Sequence, residues 1–333
     1  MKKVVSFSGG RTSAYLCKLM IDKFGVENVD FIFMDTGGEH PETYEFIRKV
    51  NNEFGLNLVC LRGNFHRPLG SGVGYKVVSI DEIKTDLKPF SEMTAKYGVP
   101  YIGGMFCTDR MKLKTFKKYC DEKYGKGNYE TWLGIRFDEP KRLVGDNKKL
   151  SLSAYKQLKL CGLSDGEISL VYTDAIVGRI DQWEISDLAK ELLIKKVAEL
   201  KKSNIKNMAE ISDHEKPDVL NYWEKMPFDL GIPEQLGNCV FCPKKSDLKL
   251  AAAQRDEPEL YINWLDMLYS DSVRVDNKTG HWSKMYRGKQ SLERLIAKFD
   301  GSTGKEIKAR IRGAKMEDTG SCSESCEVFN DGN

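Results

Sequence analysis

The sequence has no apolar run of about 18 residues, so it offers no candidate for a conventional membrane-spanning helix. Met1-Lys2-Lys3-Val4-Val5 leads into only a short apolar run and makes no signal-peptide pattern. The expected localisation is therefore cytoplasmic, with no membrane partner. Charge of one sign is also lacking. Lys plus Arg number 52 and Asp plus Glu 49, a net +3, too weak a balance to argue nucleic-acid binding from charge alone. The four histidines, His40, His66, His214 and His281, have no metal-ligand spacing. No internal repeat is visible, and no G-x-x-x-x-G-K-[ST] Walker loop. A disulfide framework is disfavoured too: nine cysteines is an odd number, the chain of 333 residues is long, and nothing indicates secretion. Reduced thiols in such a chain serve metals, catalysis or, as expected for Cys17 and Cys60, core packing.

What is present reads as alternating strands and helices. Lys3–Phe7, Val29–Met34 and Leu56–Leu61 are mostly apolar and read as strands, the first two as ones buried on both faces. Thr12–Phe24 has helical spacing, and Pro41 opens a helix at its favoured first position. This order predicts an α/β fold with a doubly wound, mostly parallel sheet. Tyr129–Ile135 reads as a further strand and Thr108–Tyr124 as a lysine-rich helix. Gly63–Tyr75 reads as a loop, and 138–169 as a polar insertion. Helices are expected over Ile185–Lys202, Asp218–Lys225, Ser246–Arg255 and Glu259–Tyr269, and a loosely held tail after Asp300. The implied division is a nucleotide-binding part over 1–180, a helical, cysteine-bearing part over 181–300 and a tail over 301–333. The five tryptophans, Trp132, Trp183, Trp223, Trp264 and Trp282, read as packing residues. Lys112, Lys114, Lys117 and Lys118 read as a solvated face, with a phosphate or nucleic-acid surface as the alternative.

Ser6-Phe7-Ser8-Gly9-Gly10-Arg11-Thr12-Ser13 joins the first strand to the first helix. Paired glycines let the backbone approach an oxyanion, and the free N–H groups of the helix start point at it. Ser8, Thr12 and Ser13 can add hydroxyl donors and Arg11 a fixed charge. After the second strand comes Asp35-Thr36-Gly37-Gly38-Glu39-His40-Pro41-Glu42-Thr43-Tyr44. A carboxylate at a strand's carboxyl end can accept from a nucleotide or hold Mg²⁺. Trp132-Leu133-Gly134-Ile135-Arg136-Phe137-Asp138-Glu139-Pro140-Lys141-Arg142 follows the same logic further on. Two cysteine elements remain: Cys107 ahead of the lysine-rich helix, and Asn238-Cys239-Val240-Phe241-Cys242-Pro243-Lys244-Lys245.

The loop resembles the SGGxxS signature of PP-loop ATP pyrophosphatases. The DTG…PETY and GIR…R segments resemble the phosphoadenosine phosphosulfate (PAPS) reductase branch of that family. The three occur in family order over roughly residues 3–250. The resemblance implies an adenine nucleotide alpha hydrolase-like fold with ATP or another adenylyl nucleotide bound by Ser6, Ser8, Gly9, Gly10, Arg11, Thr12, Ser13, Asp35, Thr36, Gly37, Gly134, Arg136 and Arg142. It implies catalytic roles for Arg11, Asp35 and Arg136, with Mg²⁺ as companion ion. A cysteine at the place of Cys107, together with a later CxxC, resembles the [4Fe–4S] site of adenosine phosphosulfate reductases and DNA phosphorothioation enzymes. Cys107, Cys239 and Cys242 are then cluster ligands, with Lys244 and Lys245 offsetting cluster charge. The fourth ligand is open: Cys120, Cys322, Cys326 or a non-protein sulfur. Structural zinc, a redox dithiol and plain core cysteines are alternatives for the same residues.

Two reactions compete. One is AMP-forming sulfur transfer to a nucleic-acid or small-molecule acceptor, with a possible sulfur-donor protein. The other is reduction of PAPS or adenosine phosphosulfate to sulfite by a cysteine thiolate. The intact SGGxxS loop favours the first, since a β,γ-pyrophosphate needs a cradle. So does the absence of an ECGxH segment near the C-terminus, where only Cys322 and Cys326 stand. A non-catalytic nucleotide-sensing module is a third reading.

Overall fold

A computed structural model describes residues 1–66, 68–101, 104, 106–139, 142, 156, 159–164, 184–275, 286–287 and 290–313. Lys141, Trp183, His281, Trp282, Cys322, Cys326 and most of the 138–169 insertion lie outside these residues.

The sheet forms first from β1 (Lys2–Phe7), β2 (Val29–Met34) and β3 (Val59–Asn64), then β4 (Gly74–Val78), β5 (Tyr129–Leu133) and β6 (Ile205–Asn207). Their spatial order is β4-β3-β2-β1-β5-β6, and every pairing is parallel except β3 with β4. Side chains alternate across the strands as the pleat requires. Val5, Phe7, Phe31 and Phe33 enter one core with α1 (Arg11–Phe24) and α2 (Pro41–Phe54). Val4, Ile32, Met34 and Leu61 enter the other with Phe116, Tyr119 and Cys120 of α4, which spans Lys114–Tyr124. Helices on both faces of a mostly parallel sheet make this the doubly wound α/β fold that the strand–helix alternation predicts. α3 spans Lys88–Tyr97.

β1 lies between β2 and β5, although β5 follows some hundred residues later in the chain. Connections leave β1 and β5 in opposite directions, which opens a crevice at their carboxyl ends, where open α/β sheets bind ligands. β6 pairs in parallel with β5, so the strand that completes this edge comes from beyond the boundary expected near residue 180.

Several local expectations change. The glycine-rich segment after Gly63 is not wholly loop: β3 runs to Asn64, and β4 turns back with Gly63 opposite Tyr75. Tyr75, Val77 and Val78 supply the β-favouring residues. The lysine-rich helix begins as a π-helix over Cys107–Leu113, and the Thr115 hydroxyl donates to the Arg110 carbonyl at 3.0 Å. Such wide turns often mark functional sites. The tail after Asp300 is not loose at its start. A helix over Gly304–Gly313 begins with a reciprocal cap, Thr303 N–H to Glu306 at 2.7 Å and Glu306 N–H to the Thr303 hydroxyl at 3.2 Å. It buries Ile307 completely in the main core.

The remaining helices are α5 (Asp187–Lys202), α6 (Lys216–Glu224), α7 (Asp247–Asp256), α8 (Pro258–Tyr269), α9 (Leu292–Ala297) and α10, the Gly304–Gly313 helix. Trp223, Trp264 and Leu250 bring α6, α8 and α7 into the same core as α1 and α2. Among the described residues no helix is long and apolar enough to cross a membrane.

Candidate nucleotide site and cysteine site

The turn after β1 closes on itself through Ser13. Its hydroxyl lies 2.8 Å from the Ser8 hydroxyl, receives the Ser8 N–H at 3.1 Å and reaches the Gly10 carbonyl at 3.0 Å. Gly9 has φ +80°, and a Cβ there would stand 2.9 Å from Ile47 Cδ1 and 3.1 Å from Thr43 Cγ2 on α2. Gly10 is the N-cap of α1 and offers no side chain to its first-turn amides; no acidic residue lies in that turn. Uncapped amides and the positive end of a 14-residue helix together make an anion-binding cradle.

β5 delivers a second wall. Gly134 is packed so tightly on the loop that a Cβ would lie 3.1 Å from Ser13 Cα and 3.2 Å from its nitrogen. Arg136, only 9% exposed, reaches the Thr12 hydroxyl at 3.3 Å. It is also forked onto Asp138 at 2.7 and 3.2 Å, while its N–H donates to Glu139 at 2.9 Å. Glu139 in turn holds Arg142. Arg136 is therefore beside the loop, and Arg142 one carboxylate further out. Gly134→Ala should force the loop off β5, costing about 1–3 kcal/mol by overpacking. Thermal melts and nucleotide titration on the same sample should show both a lower melting temperature and weakened binding.

Other expected site residues are placed differently. Ser6 is a buried residue within β1, in register with Ile32, not part of the turn. Arg11 leaves the loop: its guanidinium is forked on Asp229 at 2.7 and 2.8 Å and also bonds the Leu230 carbonyl. Its own carbonyl receives the Trp223 indole N–H at 3.1 Å. The expected phosphate contact of Arg11 gives way to a clamp between α1 and the segment after α6, because its first-turn position directs the long side chain outward along that surface.

Asp35 is fully buried and both oxygens are taken. Oδ1 accepts from Tyr44 and from the Gly37 N–H, each at 2.9 Å, and Oδ2 accepts from Arg62 at 2.7 Å. Burial pushes its carboxyl pKa up, against the opposing pull of Arg62, Gly37 and Tyr44. A carboxylate so occupied positions its loop; it does not present itself to Mg²⁺ or a nucleotide. Thr36 and Gly37, expected at the nucleotide, are part of the same buried turn. The Thr36 hydroxyl lies 3.4 Å from Cys239 Sγ, and the Gly37 carbonyl accepts the Leu87 N–H at 3.0 Å. His40 caps α2, its Nδ1 accepting the Glu42 N–H at 3.1 Å.

This turn leads directly to the cysteines. The Gly38 carbonyl accepts the Val240 N–H at 3.0 Å, and the Cys242 N–H closes onto the Cys239 carbonyl at 3.2 Å. Cys107, Cys239 and Cys242 are all buried in the same core, and all three act electrostatically on the Tyr286 hydroxyl. The three thus share one buried neighbourhood. Cys120 sits on the opposite face of the sheet, with Val4 and Phe116, which removes it as a fourth ligand. Lys245, 1% exposed, donates to the Gln235 and Val240 carbonyls at 2.6 and 3.0 Å and holds positive charge inside this turn. Lys112 points inward from the π-helix, 4.0 Å from Glu39. Lys117 and Lys118 instead pair with Asp121 and Glu122 one turn on, an ordinary solvated face.

Among the described residues no group of three His, Cys, Asp or Glu side chains is close enough to hold a single metal ion. Tetrahedral zinc, at ~2.3 Å per sulfur, needs its thiolates within roughly 4 Å of one another. The surroundings are nevertheless those of a missing polar partner. Glu39 Oε2, the Tyr286 hydroxyl and Trp264 Nε1 are buried without hydrogen bonds, and native proteins seldom leave such atoms unpaired. Glu39 Oε1 receives the Cys239 thiol at 3.4 Å. Thiols, inward lysine charge and the unpaired Tyr286 and Trp264 donors fit a group larger than one ion, anionic and rich in sulfur acceptors, beside the unpaired Glu39 acceptor. Glu39 stands within the Asp35–Tyr44 segment but was not singled out there, Trp264 read as a packing residue, and Tyr286 carries no sequence signal, since the three lie in different segments.

Residues 2–66 match the model of the phosphoadenosine phosphosulfate reductase domain, a stretch that holds both the Ser8–Ser13 turn and the Asp35–Tyr44 segment. A curated relative, the uncharacterised nin region protein ORF290 of Escherichia phage lambda, is 40% identical over 99% of this chain and 96% of its own length. Two uncharacterised proteins of Methanocaldococcus jannaschii are 27% and 30% identical over 40% and 34% of this chain, about a fifth of their own lengths. No solved structure matches. The chain belongs to one family with the phage lambda nin region protein ORF290, and its first strands are similar to the phosphoadenosine phosphosulfate reductase domain.

Proposed function

We propose that the protein is a PP-loop enzyme that binds ATP and carries out AMP-forming sulfur transfer beside an iron–sulfur cluster. The observation that carries the reading is the cradle: an uncapped α1 start, closed by Ser13 and walled by Gly134 and Arg136, at the crevice between β1 and β5. An acceptor oxygen attacks the α-phosphorus, the α–β bridging bond breaks, and pyrophosphate leaves into the cradle. A sulfur nucleophile then displaces AMP, forming the carbon–sulfur bond as the carbon–oxygen bond breaks. Charge builds on phosphate oxygens in the first step, so catalysis there is positioning and electrostatic stabilisation by loop amides and Arg136, with Mg²⁺ as counter-ion. Cys107, Cys239 and Cys242 would hold a [4Fe–4S] cluster, which when bound supplies thiophilic iron able to hold a sulfur atom for transfer.

The PAPS reductase match favours one second reading, sulfonucleotide reduction to sulfite. One experiment separates the two. Anaerobically prepared protein is given ATP with candidate sulfur acceptors in one arm, and PAPS with a thiol reductant in the other. Pyrophosphate and AMP are the expected products. Sulfite release that disappears when Cys322 and Cys326 are changed to Ser would instead establish the reductase.

A further inference from the structure

We infer that the Tyr286 hydroxyl and the Trp264 indole N–H are hydrogen-bond donors to the sulfur atoms of the group held by Cys107, Cys239 and Cys242, and that they set its reduction potential. The inference rests on the cluster reading above and assigns two residues that are not ligands.

The two side chains are fixed on the cysteine turn by separate elements. Arg287, the residue after Tyr286, donates to the Pro243 carbonyl at 2.7 Å, also bonds the Lys245 carbonyl, and reaches Asp247 at 2.7 Å. The Tyr286 N–H is held by the Gln290 carbonyl at 2.9 Å. Tyr286 is thus fastened to the segment that follows Cys242. Trp264 comes from α8 and packs against Phe241, which stands between Cys239 and Cys242, with ring centroids 6.0 Å apart. Its six-membered ring also closes on Gly38, where a Cβ would lie 3.1 Å away.

Both residues are buried, at 1% and 2% exposure, and both polar atoms lack a hydrogen bond. The indole nitrogen lies beside the Tyr286 oxygen, short of bonding geometry. An indole N–H can only donate, whereas a phenol oxygen also accepts, so even a closed Trp264–Tyr286 contact leaves the phenol proton without an acceptor. A phenol ordinarily titrates at about 10, so at neutral pH Tyr286 keeps its proton and is a donor. An orphaned buried hydroxyl is destabilising, a cost that a purely packing role would remove by using phenylalanine. What the phenol proton lacks is an acceptor, and thiolate and sulfide are acceptors. Hydrogen bonds to cluster sulfur withdraw electron density and raise the reduction potential.

The discriminating property is a change of sign between the two forms of the protein. Tyr286→Phe in the full chain freed of metal should melt at the same temperature as the parent or higher, because an orphan is removed. In anaerobically reconstituted protein, the same variant should show a more negative midpoint in an EPR-monitored redox titration. It should also lose its cluster several-fold faster to a chelator. Trp264→Phe should shift the midpoint in the same direction. A lower melting temperature of the metal-free Tyr286→Phe protein, or a midpoint and loss rate equal to the parent's, would overturn the inference alone. Parent protein that takes up no iron and sulfide would overturn the cluster reading and this inference with it.

Discussion

Gly10→Val is expected to abolish nucleotide binding in a protein that still folds. Gly10 has φ −95° and ψ 162°, an extended conformation that valine adopts readily. A Cβ there meets only Ser8 Oγ, at an ordinary 3.8 Å. The branched methyls would instead occupy the approach to the uncapped amides of α1. Losing two charge-assisted hydrogen bonds, at about 1.5–3 kcal/mol each, corresponds to roughly a hundredfold to ten-thousandfold loss of affinity. Gly9→Ala makes the contrast. A positive φ and a 2.9 Å approach to Ile47 Cδ1 together cost about 2–4 kcal/mol of stability. Calorimetric titration with ATP and denaturant melts on both variants separate the two effects. A Gly10→Val protein that binds ATP as the parent does would remove the cradle assignment.

The second large effect is expected at Asp35. Asp35→Ala strands the Arg62 guanidinium, the Tyr44 hydroxyl and the Gly37 N–H at once. Removing one partner of a buried ion pair costs about 3–5 kcal/mol. The damage should not stay local. Asp35 fixes the turn whose Gly38 carbonyl holds Val240 and whose Thr36 touches Cys239. On the proposed cluster reading, iron retention by reconstituted protein should therefore fall together with stability. Asp35→Asn is the informative companion. If Asp35 positions the turn, this variant loses stability and metal retention in parallel with activity. A direct Mg²⁺ ligand would give the opposite pattern, a protein melting like the parent that binds nucleotide but releases no pyrophosphate.

The strand, glycine turn and helix start of the proposed phosphate site were legible because they are local. A β-rich apolar run, two glycines and a helical pattern within Lys2–Phe24 dictate strand, turn and uncapped helix with no help from the rest of the chain. The same holds for His40-Pro41 starting α2, and for the parallel sheet, which follows from strands alternating with helices. Misreadings arose where short-range signals were weak or outvoted. Thr303 and Glu306 form a cap inside a segment whose Gly, Ser and charge content suggested a loose tail. β4 needed β3 beside it to become a strand.

Sequence alone thus determined most of the elements, their winding and the uncapped glycine turn ahead of α1, because backbone conformation and amphipathic pattern act over a few residues. Side-chain direction across the fold was decided only by tertiary structure. Arg11 finds Asp229, 218 positions away, and turns from the phosphates. Asp35 finds Arg62 and becomes a buried anchor. Cys239 meets Thr36 and Glu39 some 200 positions earlier, while Cys120 ends on the far side of the sheet. The physical reason is one of range. Hydrogen bonds and ion pairs act only within a few ångströms, so which partner a side chain takes is settled when packing has brought distant segments together.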